Sequence, residues 1–319
     1  NTISALNASG IITTATNIYG ISYSGTGTNT VNINNNRISG VSIGASTSSA
    51  SPNIAAINVT GGVTTMSKNK ICDISTLCTG ATTIVSGIRL SSTTASANMV
   101  VSNNYIGNLT ATVSTNTDAI RGINILSTSA TATISVFYNT IYINSASTAA
   151  TSGSSGIFHT ISATATTAAL DLRNNIIVNT STPQGAGLTV AYRRSAGAAN
   201  NLANYSSNSN NNLFYAGTPG ASRLIYSDGT STGQTLALYK AGVFTAGTIA
   251  PRDAASVTED PTSFFVSTTC GNAGFLHITA GSTTQIESGA VSPNTTTYAT
   301  GPAYTTTQYV SAPATTTTY

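Results

Sequence analysis

The sequence predicts an all-β protein: a right-handed parallel β-helix (solenoid) of about 35-residue coils with a divergent C-terminal cap and an extended tail. Three observations lead to this class. A two-part motif recurs six times at nearly constant spacing. Hydrophobic residues within each copy alternate with period two, the mark of strands. The copies lack the Leu/Ala/Glu-rich amphipathic runs that helical repeats of this length need.

The first part of the motif is an asparagine stretch, seen in "INNNRISGV", "MSKNKICDI", "VSNNYIGNLT", "VFYNTIYIN", "LRNNIIVNT" and "NSNNNLFYA". Aligned, it places Asn36, Asn69, Asn104, Asn139, Asn175 and Asn212 in register, with steps of 33 to 37 residues. Asparagine is depleted from strands, so these positions read as coil corners. There the residue tolerates left-handed backbone angles, and its amide can bond the identical amide above and below. Two residues on come Ile38, Ile71, Ile106, Ile141, Ile177 and Phe214, expected as an inward-facing stack. Three residues before the asparagine stand Ile33, Met66, Val101, Val136 and Leu172, a series that Ser209 breaks.

The second part precedes the first: a small residue followed by a large aliphatic one. The pairs are Gly20-Ile21, Ala56-Ile57, Gly87-Ile88, Gly122-Ile123, Gly156-Ile157 and Gly187-Leu188. Residues 1–215 therefore form the repeats, within a stack of seven or eight coils. Residues 216–291 supply terminal coils and a cap, with a short helix around Leu236 to Ala241 and one more coil in "GNAGFLHITAGSTTQIESGAVSP". Residues 292–319, rich in Thr, Tyr and Pro, read as a tail or linker.

Composition narrows the function. Only 6% of residues are charged, against about 25% in ordinary soluble domains. The net charge of +3 comes without a basic run longer than Arg193-Arg194, which argues against a nucleic-acid partner. No stretch reaches the ~18 apolar residues of a membrane-spanning helix, so no membrane insertion is expected. The opening "NTISALNASG" reads as a mature fragment or an excised segment. Of the three cysteines, Cys72 and Cys78 are spaced to bridge locally across a short loop. The other reading makes Cys72 a small buried residue and Cys78 a loop thiol, and both stand. No cofactor is expected, because Cys/His metal spacing and clustered acidic loops are missing.

Catalysis would need clustered carboxylates. Asp73, Asp118 and Asp171 fall at different phases of the repeat and should point to different sides of the stack; Glu259 and Asp260 read as turn residues. His159 shares a core-side slot with Tyr23, Val59, Leu90, Ile125 and Val190, which makes it structural, and His277 reads as a strand residue. Arg37 and Lys70 follow adjacent ladder asparagines and should stack on one face. Tyr19, Tyr23, Tyr105, Tyr138 and Tyr142 are the aromatic candidates for a glycan platform.

The "NN-x-I" coil with its "G-I" partner, together with the ending "DPTSFFVS…GFLHITAGSTTQIESGAVS", resembles the secreted cell-surface β-helix proteins of the Bacteroidetes. That resemblance covers the chain to about residue 292 and departs from the pattern after "SGAVSP", where a Thr/Tyr tail replaces an acidic closing segment. It implies export by type IX secretion, an extracellular, cell-surface location and an adhesin-like role. The expected function is that of a non-catalytic rod, acting as surface-layer piece, spacer or filament subunit. Its expected partners are further copies or neighbouring segments of a larger surface protein, and glycans. The alternative expectation is a carbohydrate-active or carbohydrate-binding β-helix.

Overall fold

A computed structural model describes residues 1–9, 13, 16–45, 51–129, 131–162, 169–196, 202–242, 249–282, 284 and 285. The 292–319 tail and Glu287 lie outside them. The chain is a parallel β-solenoid with three stacked sheets and almost no helix. The first sheet takes Thr2–Ala8, Arg37–Ala45, Lys70–Leu77, Tyr105–Gly107, Thr140–Ile143, Ile176–Asn179 and Leu213–Tyr215. The second runs from Ile18–Tyr23 to Arg223–Ser227 and ends on the antiparallel strand Thr232–Gly233, and the third runs from Thr30–Asn34 to Ala169–Arg173. The stack makes about six turns rather than seven or eight, because the C-terminal region does something other than add coils.

The asparagine ladder forms as the repeat demands. The Oδ1 of Asn69 accepts from both the main-chain N and the Nδ2 of Asn36, at 3.0 and 2.9 Å. The same pair of bonds recurs from Asn69 to Asn104, Asn104 to Asn139, Asn139 to Asn175 and Asn175 to Asn212. From Asn69 to Asn212 each Nδ2 spends its second proton on the carbonyl three residues before the previous ladder asparagine, as Asn104 does on Met66. A buried amide with every donor and acceptor used incurs no desolvation penalty, which is why asparagine is tolerated inside a stack. Asn1 extends the ladder to Asn36. At the far end Ser256 and Asp253 substitute for the next rung, accepting from the N and Nδ2 of Asn212.

The left-handed residue is not the ladder asparagine but its predecessor: Asn35, Lys68, Asn103, Tyr138, Asn174 and Asn211 have φ between 53° and 58°. The doublet thus divides its labour, the first residue turning the corner and the second laddering. Ile38, Ile71, Ile106, Ile141, Ile177 and Phe214 pair in register and are fully buried. Each buried side chain is worth roughly 1.5–3 kcal/mol.

The small-residue position follows from sheet packing. A Cβ on Gly122 would lie 2.5 Å from both the Gly156 carbonyl oxygen and Ile141 Cγ2, so glycine at this rung lets the second sheet close onto the isoleucine stack, while Ala56 holds the same position in the second copy. In the sixth copy the position belongs to Ala191, followed by Tyr192, since Ile157 pairs with Tyr192. Gly187-Leu188 lies four residues early, in a turn where Gly187 N bonds Gln184 O.

The short helix Leu236–Lys240 lies over the last coil, burying Leu236 and Tyr239. Tyr239 meets Phe214 and Tyr226. Asp253, fully buried, accepts from Tyr205 and Tyr239 hydroxyls at 2.6 and 2.7 Å. Burial raises its pKa, and the hydrogen bonds it accepts oppose that shift. The described part of the segment expected as one more coil, residues 271–282, instead lies along the outer face of the first sheet.

Candidate functional site

That returning segment is a strap, and the cleft at its far end is the candidate site. The strap descends the stack rung by rung. Tyr215 donates to Asp260, Phe265 meets Tyr142 at 5.6 Å, and His277 stacks on Tyr105 at 4.9 Å. Between Phe265 and Ile278 it folds on itself: Val266 N donates to His277 O and Leu276 N to Ser267 O. A second apolar cluster forms beneath it from Cys72, Tyr105, Tyr142, Ile176, Val178 and Leu213, together with Phe265, Phe275, Leu276 and Ile278. His277 is consequently a loop residue stacked on a ring rather than a strand residue. Tyr105, Tyr138 and Tyr142 are buried, which removes three of the five candidate glycan platforms from the surface.

The disulfide joins Cys72 to Cys270, 198 residues away, and not to Cys78. The reason is local. Asp73 has φ +55°, which breaks the alternation so that Ile71 and Ile74 both face inward. Cys72 then faces out beneath the strap while Cys78 faces the core, buried and free, with its thiol on the Gly44 carbonyl. The local bridge does not form, and the second reading holds in part: Cys72 is buried but bridged to Cys270, and Cys78 is a free thiol just past the strand, facing the core. A third cysteine with a distant partner was the one signal in the sequence for the strap. Asp73, Cys72 and Cys270 bring a carboxylate and two sulfurs within 4.8 Å. The sulfurs are bonded to each other, however, so the trio offers no thiolate pair to a metal.

Beside the disulfide lies a cleft of about 200 Å³, lined by Arg37, Lys70, Cys72, Gly271, Asn272, Ala273 and Phe275. Arg37 and Lys70 stack in register on neighbouring rungs, as expected. Lys70 Nζ donates to the Ala273 carbonyl at 2.7 Å. Burial, then the neighbouring Arg37, lowers the Lys70 pKa; burial, then Lys70, lowers that of His277. Among the described residues no carboxylate ion-pairs with Arg37 or Lys70.

The acids are committed elsewhere. Asp118 pairs with Arg121 and Arg193 and accepts from Ser155. Asp171 pairs with Arg173. Asp228 holds the turn amides of Thr230 and Ser231, and Glu259 accepts from Gln285 N. Asp73, exposed on the first sheet, takes Asn108 Nδ2. Asp73, Asp171 and Asp118 do lie apart, on the first sheet, the third sheet and the loop before the second. His159 sits in the core, where Tyr23, Val59, Leu90 and Ile125 precede it in register and Arg194, not Val190, follows.

No protein-family model, curated protein or solved structure matches this chain.

Proposed function

We propose that the chain is a non-catalytic structural or adhesive rod on the outside of a bacterial cell. The observation that carries this reading is the asymmetry of its two ends. One end is closed by the helix and the Asp253 cap. At the other, the outermost strands of all three sheets have one neighbour each among the described residues, and Ile3, Ile18, Ile21, Tyr23 and Val31 are only partly covered. An open parallel edge with apolar residues is a template for another coil, from a neighbouring segment or a further copy.

The disulfide supports an oxidising exterior. The commitment of each described acid to a structural partner argues against the alternative of a glycoside-cleaving β-helix. Type IX export and a Bacteroidetes source rest on the resemblance of the repeats and of the ending "DPTSFFVS…GFLHITAGSTTQIESGAVS".

Negative-stain microscopy of the whole chain and of residues 1–291, with a reducing-end assay over a polysaccharide panel, tests the proposal. Rods joined end to end identify a filament subunit, and single rods identify a spacer within a larger surface protein. Release of reducing ends, or particles with no rod shape, overturns the reading.

A further inference from the structure

We propose that the Arg37–Lys70 cleft is an oxyanion site that receives one carboxylate or sulfate group. Like charges in register on adjacent strands are destabilising, and a chain with 6% charged residues has little reason to place two cations side by side. Among the described residues six of its other arginines are matched. Arg121, Arg173 and Arg193 pair with carboxylates, while Arg89, Arg194 and Arg252 donate to amide or carbonyl oxygens. Arg37 and Arg223 have no such partner among the described residues, and of the two only Arg37 lines the cleft.

The surroundings are built for a small guest. Gly271, at φ +95°, passes so near that an added Cβ would lie 3.1 Å from Arg37 Nη2, so the missing side chain keeps the space beside the guanidinium clear. The bond from Lys70 to Ala273 holds the ammonium at the cleft and leaves two N–H groups to donate. The Asn272 amide lines the same wall, and the adjacent disulfide fixes the strap against the sheet. The volume falls below the ~300–1,000 Å³ of whole-ligand pockets, which suits one charged group with the rest of its carrier outside. Guanidinium and ammonium donors give charge-assisted bonds to such oxygens. Either a free ion or a uronate or sulfated glycan can present that chemistry. The site does not depend on the rod reading.

Calorimetric titration at low ionic strength, where surface charge is least screened, tests this with sodium sulfate, oligogalacturonate, a sulfated oligosaccharide and a neutral oligosaccharide. The expected result is saturable binding of at least one anion and none of the neutral sugar. Arg37→Gln and Lys70→Gln should each weaken binding by about tenfold or more, while Lys68→Gln, an exposed lysine at the same corner, leaves it unchanged. Binding of sulfate alone identifies a free-ion site, and binding of the oligomers identifies a glycan contact. Thermal melts of the three variants show whether each is folded. No saturable binding of any anion, or equal weakening by Lys68→Gln, overturns the proposal.

Discussion

His159 shows how one residue type takes its role from its slot. Its Nε2 lies 3.1 Å from the Asn204 amide nitrogen, which can only donate, so the ring nitrogen there accepts and Nδ1 carries the proton toward Tyr192 Oη, also at 3.1 Å. Protonation would set two donors against each other in a fully buried site beside Arg194. Burial first, and Arg194 second, accordingly hold the pKa well below 6.5. The unfolded chain takes up this proton near pH 6.5 and the folded chain does not. The contribution to stability is therefore present above that pH and is lost as pH falls, at about 1.4 kcal/mol per unit. Unfolding measured between pH 7 and 5 should show this slope in the native chain and a shallower one in His159→Gln. Equal slopes would mean the imidazole is already charged in the fold. The ladder asparagines carry the same lesson without titration: their partners are copies of themselves, so the repeat supplies its own hydrogen-bond satisfaction.

The strap is the element whose attachment rests on few bonds. Its isolated bridges bind it to itself, between Phe265 and Ile278 and between Ser267 and Phe275, so it holds to the first sheet by side chains, the Lys70 bond and the disulfide. Closing a 198-residue loop removes much unfolded-chain entropy, a stabilisation on the order of 5 kcal/mol before native-state effects. Cys270→Ser should lower the cost of strap release by roughly 2–4 kcal/mol. Limited proteolysis would then cut between Phe265 and Ile278 many times faster, while the coils from Asn36 to Asn212 stay intact. Loss of the whole solenoid in that variant would show the strap to be integral to the core rather than laid upon it.

On the scale of the molecule, stability should fall from the capped end to the open one. Terminal coils lack one neighbour, and repeat arrays owe most of their stability to neighbour interfaces. Amide exchange should be fastest in Thr2–Ala8, where most residues are exposed. Joining a duplicate of residues 104–138 ahead of Asn1 keeps the register, because Asn1 then follows as Asn139 does. Exchange over Thr2–Ala8 should slow by at least about tenfold, equivalent to about 1.4 kcal/mol. Unchanged exchange would mean that the first rung is not a template for coils.

The solenoid was legible in the chain because each coil repeats the same local problem: turn a corner, ladder an amide, bury an aliphatic. Solved six times, that problem leaves a period, and the asparagine and isoleucine columns were placed residue by residue from it. The register slipped only in the sixth copy, where Tyr192 takes the slot of the aliphatic residue and a Gly-Leu pair stands four residues earlier. What the tertiary structure alone decided is everything that happens once. The strap ran back over the sheet instead of adding a coil, joined Cys270 to Cys72, and brought Gly271 beside Arg37. A contact across 198 residues leaves no period to read. It forms because an outer sheet face lined with Tyr105, Tyr142, Ile176 and Leu213 must be covered, and the strap is the apolar segment that reaches it.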